Sequence, residues 1–313
     1  MATTSDLSSF YDLRNELYTA DQTNTPLLTM SGGLTGGLIT KNFDFPCSVG
    51  YALPAAAQNV VSEDNSLDFP AIANINRTEV INTCQIHHHS VQVSYKRIAS
   101  MDRLSGVATA SVDVNVQDEV DFQVARKLEV IARDVEFSFM QGQYEAAATS
   151  ATEAQTRGIC GALGICATST RIDQGNTALT LADMQTFFLA LYDAGAMFNV
   201  PVLFVGGRLK QVLSGIYGYA PTDRNIGGVN VEQLVTDFGN VGIVTSRLVP
   251  NNSIAFVEMS VVAPVFQEVP GKGTIFYEEV GISGGSVRGQ VYGLVGFDHG
   301  PAFAHGELHT IGS

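Results

Sequence analysis

Apolar residues Val120, Val124, Leu128, Ile131, Val135 and Phe139 recur at spacings of four, four, three, four and four. That is the repeat of a single helix face, and it predicts an amphipathic α-helix over residues 116–141. Asn115 with Asp118 three positions on resembles a capping box with Asp in place of Glu. Asp118, Glu119 and Asp121 crowd the first turn, where they oppose the positive end of the helix dipole. Glu129 and Arg133 are spaced for an i, i+4 ion pair, and Gly142 marks a stop. At 1.5 Å per residue the rod would be roughly 37 Å long. This is long for a compact enzyme and natural for a strut.

Residues 236–267 show a different pattern. Val241, Ile243, Thr245 and Arg247 alternate with Gly242, Val244, Ser246 and Leu248, and residues 254–259 form a nearly continuous apolar run. The pattern predicts two apolar strands joined by a Pro250-Asn251-Asn252 turn, the second covered on both faces. Upstream, Thr180 and Asp183 are placed to cap a helix over residues 181–194, stopped by Gly195. Residues 200–205 read as a buried strand and 208–216 as a second helix. Residues 274–308 read as two or three strands around 281–289. Strands on either side of a mixed centre predict an α+β chain whose ends return to one layer.

The first part of the chain is less regular. Residues 1–46 read as an extended arm with a short helical candidate at 7–17. After it, Asn24-Thr25-Pro26 and the glycine pairs at 32–33 and 36–37 interrupt any regular element. Residues 43–98 form a long excursion with strand signals near both ends and a polar, proline-punctuated middle. Its returning strand alternates through Val91, Val93 and Tyr95 to Arg97. A two-stranded excursion is marginal alone and needs a surface to lie upon.

Composition narrows the function classes. The 313 residues are 45% hydrophobic but only 15% charged, below the roughly 25% charged residues of ordinary soluble domains. This suits a protein with much of its surface buried against other copies, although composition alone favours a slightly apolar monomer. The net charge of −14, with 17 Lys and Arg, argues against a phosphate-gripping face and direct nucleic-acid binding. A protein that merely encloses DNA has no such need, since an acidic wall repels the polymer. No signal pattern or 18-residue apolar window is present. Cys47, Cys84, Cys160 and Cys166 match no common zinc spacing and are expected to be free, mostly buried thiols in a reducing cytoplasm.

Candidate chemistry is sparse. Asp237-Phe238-Gly239 has the letters of a kinase magnesium motif without the other kinase segments. Gly281-Ile282-Ser283-Gly284-Gly285 fits the expression for a hydrolase nucleophile elbow, with Ser283 as the nucleophile, but a strand follows where a helix is required. His87, His88 and His89, with His299, His305 and His309, lack metal-binding spacing and are expected at the surface or in loops. Alternation in a strand would turn His88 away from His87 and His89. Gly206-Gly207 lies between a strand and a helix without the rest of a dinucleotide fingerprint. No catalytic, cofactor-binding or metal-binding residue is assigned.

Four blocks carry a family resemblance: Asn24-Thr25-Pro26-Leu27-Leu28, DEVDFQVARKLEVIARDVEFSFMQG, NVPVLFVGGRLKQVLSG and VTDFGNVGIVTSRLVPNNSIAFVEM. In order and spacing the chain resembles tailed-bacteriophage major capsid proteins of the Hong Kong 97-type fold. The subfamily concerned lacks a long N-terminal scaffolding domain. The resemblance implies an arm at residues 1–42, an extended loop at 43–99 lying across a neighbour, and a peripheral domain with a spine helix at 100–177. It further implies an axial domain at 178–264 and a return to the peripheral domain at 265–313. It implies a non-enzymatic subunit that self-assembles through hexamers and pentamers into an icosahedral shell around double-stranded DNA. Portal and decoration or scaffolding proteins would be its partners, with no cofactor and no membrane. Its place would be the virion, after synthesis in the host cytoplasm. The alternatives are an encapsulin-type compartment with enzyme cargo and a soluble serine hydrolase using Ser283.

Overall fold

The computed structural model describes residues 24–51, 53–56, 58, 61–69, 74–98, 119–147, 149–168, 170–217, 222–226, 229–282 and 284–312. The arm helix expected at 7–17, the Asn115/Asp118 cap and Ser283 lie outside them. The long helix, α2, spans Glu119–Gln141, and α1, Pro26–Ser31, lies across it. The turn residues were expected to break this segment. Instead Pro26 sits at the start of α1, where the missing N–H costs nothing and the fixed φ favours the helix. Gly32 ends it at φ +124°.

Two larger sheets share the work of the core. The first joins β1 (Leu38–Thr40), β4 (Gln85–Ser94), β11 (Ala263–Gln267), β12 (Ile275–Ile282) and the long β13 (Ser286–Asp298). The second is mixed, in the order β5-β14-β10-β6-β9-β8-β7. Its strands are β5 (Arg171–Asp173), β6 (Pro201–Val205), β7 (Thr222–Ile226), β8 (Val229–Thr236), β9 (Gly239–Thr245), β10 (Ile254–Glu258) and β14 (Gly306–His309). β2 (Asp44–Tyr51) and β3 (Arg77–Thr83) form a separate two-stranded ribbon.

The strands expected on either side of the 250–252 turn form as β9 and β10, but β6 lies between them, parallel to β9 and antiparallel to β10. The Pro250-Asn251-Asn252 turn therefore spans a strand's width, because three apolar strands bury more surface than two. The expected return of the ends to one layer holds for β1, β4, β12 and β13, which share the first sheet, whereas β14 joins the second. The returning strand β4 stops at Ser94, and residues 95–98 turn helical.

The second sheet is covered on both faces because β6 is apolar at every position and β10 is apolar but for Glu258. Val202 and Phe204 point into a core with Ile131, Val135 and Phe139 of α2. Leu203 and Val205 point into another formed with α3 (Leu181–Asp193) and α4 (Gly207–Tyr217). Phe139 stacks on Phe297 of β13 with centroids 4.5 Å apart, tying α2 to the first sheet. The stripe on α2 is not one continuous seam. Ile131, Val135 and Phe139 are fully buried, whereas Leu128 is exposed and Val120 and Val124 are half-buried. Glu129 pairs with Arg126 at 2.8 Å rather than with Arg133.

The cap of α3 is formed as its sequence implies: Thr180 Oγ1 accepts from the Asp183 N–H, and the Asp183 carboxylate accepts from the Thr180 N–H. Thr180→Ala is expected to cost about 1 kcal/mol of stability, read as a shift in the urea midpoint.

Candidate assembly surfaces

The β2–β3 ribbon leaves the body of the subunit from a rigid base. Asn82 is fully buried. Its Nδ2 donates to the Phe297 and Arg157 carbonyls, and its Oδ1 accepts from the Thr83 and Arg157 N–H groups. Phe45, Cys84 and Val265 pack beside it. At Gly296 a Cβ would come within 2.6 Å of the Phe45 ring, so only glycine fits beneath the base. Beyond the base the ribbon and the segment that joins its strands expose large apolar side chains among polar ones. Val49, Tyr51 and Leu53 are exposed, and Leu67 and Phe69 near the short helical turn at Asp64–Leu67 are 82% and 84% exposed. Glu63, Asp64 and Asp68 add acidic charge there. Large apolar side chains held in water mark a contact surface.

A second exposed apolar strip lies on the outer face of α3. Leu181, Leu189 and Tyr192 face solvent, with Val235 of β8 alongside. Phe238 lies under it, stacked on Tyr192 and Phe198 at 5.1 and 5.8 Å. Asp237 and Phe238 thus form the β8–β9 turn, with Gly239 at φ +131°, and the kinase-like letters mark a hairpin.

The other sequence candidates are dispersed. Gly281 and Gly285 flank the β12–β13 hairpin, so a strand follows the Gly-x-Ser-x-Gly segment and no nucleophile elbow forms. Gly206 packs against Asn251. The four cysteines are free, and burial pushes the Cys47 and Cys84 thiols up to about 12. Among the described residues no group of three His, Cys, Asp or Glu side chains is placed to hold a metal ion. No described helix is long and apolar enough to cross a membrane.

The expectation of surface or loop positions holds in part: His299 and His305 lie in loops but are completely buried, and His87 in β4 is 5% exposed. His305 Nε2 donates to the His299 carbonyl at 2.5 Å, while its Nδ1 accepts from the Glu258 N–H. Only the neutral ring satisfies both contacts. Burial lowers the pKa of His87, His299 and His305 to about 4 in each case. His88 faces away from His87, toward Gln290, and His89 meets Asp134 of α2 at 2.8 Å. The three buried rings are neutral in the folded and unfolded chain above pH 6.5. As pH falls from 6.5 to 4 the unfolded chain takes protons that the folded chain refuses, so stability drops. The expected loss is on the order of 3 kcal/mol for each ring, measured as the urea midpoint against pH. His305→Gln is expected to flatten part of that slope.

Buried carboxylates are what the sequence pattern missed. Glu258 accepts N–H bonds from Asn199, Val200 and Ser260. Glu307 holds Arg171 and the Gly161 N–H. Glu136 accepts from Leu27 and Leu28. The available signal was a lone Glu inside an apolar run, as in Ala-Phe-Val-Glu-Met at 255–259.

The family described as SU10 major capsid protein matches residues 1–312. A search of curated proteins returned no match. Among solved structures, the capsid asymmetric unit of cyanophage A-1(L) is similar, with a TM-score of 0.66 and 14% identity over 99% of both chains. The holo-SrpI encapsulin complex from Synechococcus elongatus PCC 7942 aligns with a TM-score of 0.56 and 12% identity, over 95% of this chain and 92% of that one. Mycobacterium phage Che8 aligns with a TM-score of 0.51 and 12% identity, over 97% of this chain and 100% of that one. At these identities the likeness shows a shared Hong Kong 97-type α+β fold.

Proposed function

The chain belongs to the SU10 major capsid protein family, and from that premise we propose that it builds an icosahedral shell of hexamers and pentamers around double-stranded DNA of a tailed phage. As a phage major capsid protein its role is structural and its place is the virion. The observation that carries the assembly reading is the set of exposed apolar side chains on a ribbon projecting from a rigid base, which a neighbouring copy would cover. We assign residues 1–42 to the arm, 43–99 to the extended loop, 100–177 to the peripheral domain, 178–264 to the axial domain and 265–313 to the return. The strand β14 (Gly306–His309) is an exception within that last segment, since it pairs with β10. The exposed strip of α3 (Leu181, Leu189, Tyr192) is assigned to contacts between axial domains.

Each contact is modest, and closed symmetry multiplies them, so misplaced copies dissociate while a complete shell persists. The acidic balance of −14 supports enclosure of DNA without specific binding. A portal, decoration or scaffolding proteins, and synthesis in the host cytoplasm, belong to the same proposal. Electron microscopy of the expressed chain tests it: closed shells support it, and a discrete monomer at every concentration refutes it. The second reading, a compartment for enzyme cargo, takes its support from the encapsulin likeness. A small shell that co-purifies with a single protein would favour it.

A further inference from the structure

Burial alternates along β4 (Gln85–Ser94). Gln85, His87, His89, Val91 and Val93 are buried or half-buried, whereas Ile86, His88, Ser90 and Gln92 are exposed. The pleat therefore brings His87 and His89 to one face, two residues apart, and that face carries Val91 and Val93 into the core shared with α2. A cavity of about 330 Å³ opens between residues 85–89 and Asp134, Phe137 and Ser138 of α2.

Two features of this cavity point to a cation. His87 is 5% exposed, and its Nε2 has no hydrogen-bond partner among the described residues. A buried polar nitrogen left in that state is costly unless something binds it. His89 Nε2 lies 2.8 Å from Asp134 Oδ2. An ionised carboxylate only accepts, so Nε2 carries the proton and a neutral His89 has its lone pair on Nδ1. A carboxylate behind a histidine in this way fixes the tautomer and makes the ring a better metal ligand. The same carboxylate repels an anion. Imidazole nitrogens suit Zn²⁺, Ni²⁺ and Cu²⁺, whereas Mg²⁺ and Ca²⁺ take oxygen ligands.

We propose that His87 and His89 form a two-histidine chelate for a divalent transition-metal ion, with Asp134 as the carboxylate that orients His89. Water fills the remaining coordination positions, and no third protein ligand is invoked, in keeping with the described residues. Through Asp134 the ion ties β4 to α2, and so the first sheet to the long helix. All three residues belong to one chain, so binding does not depend on assembly. An ion held only by the folded chain also stabilises it by mass action.

Calorimetric titration of the chelator-treated full chain with ZnCl₂, NiCl₂ and CuCl₂ at pH 7.5 tests this. One ion per chain is expected, with Cu²⁺ held more tightly than Ni²⁺ or Zn²⁺. His89→Gln is expected to lower the affinity at least tenfold, and Asp134→Asn to lower it about tenfold through the lost orientation of the ring. His88→Gln, on the opposite face, is expected to leave it unchanged. No binding by the native chain below about 1 mM ion, or equal affinity in the native chain and His89→Gln, overturns the chelate. If His89→Gln does not fold, a Zn²⁺ titration of the native chain followed by histidine ring NMR decides. Shifts at His87 and His89 support the proposal, and shifts confined to other histidines overturn it.

Discussion

A chain lacking residues 59–75 is expected to fold to a subunit with the melting temperature of the full protein and to form no shells. No residue in that stretch belongs to any of the described core clusters. The deletion joins position 58 to 76 and leaves eight residues between Tyr51 and Arg77. That is ample to connect β2 to β3, so the ribbon and its Asn82 base remain. What disappears is the apolar tip with Leu67 and Phe69, whose exposure makes sense only when another surface covers them. Sedimentation and micrographs at matched concentration provide the measurement. Shells of normal size and yield from the deleted chain would remove the ribbon from the assembly mechanism.

Among single substitutions, the largest loss of subunit stability is expected from Phe139→Ala, about 3–5 kcal/mol. Phe139 is fully buried and stacked on Phe297. Its carbonyl also accepts the Ile159 N–H, so it joins α2, β13 and the 158–166 segment. A cavity there cannot close easily, because neighbours on three elements would have to move together. Urea denaturation of the unassembled subunit gives the value. A loss below about 1 kcal/mol would mean that the α2–β13 contact is not a main source of cohesion.

Much of this architecture was legible in the sequence because apolar spacing reports burial directly. The period of α2, the cap of α3 and the buried run of β6 all follow from local rules. What local rules miss is partner choice. Residues 241–248 and 254–259 look alike as neighbours in a hairpin or as strands separated by a third, since both arrangements bury the same side chains. The burial of the histidines was missed for a related reason. Histidine is amphipathic, and only the carbonyl of His299 and the N–H of Glu258, supplied by the fold, make the His305 site habitable. Glu136 was hidden because a polar residue beside an apolar stripe ordinarily faces solvent, and its two amides come from the arm. The assembly surfaces were partly visible, as a polar excursion too thin to stand alone. Their apolar tip became clear only once exposure could be assigned residue by residue.

The position of β6 between β9 and β10 bears on how the chain is made. During synthesis β6 emerges before either of them, so its two edges are already present when β9 and then β10 leave the ribosome. Each of these two later strands can therefore add to an edge of β6 as it emerges. A permuted gene that placed residues 201–205 last would release β9 and β10 first, free to close on each other across the 250–252 turn. It would have to undo that hairpin to reach the same sheet.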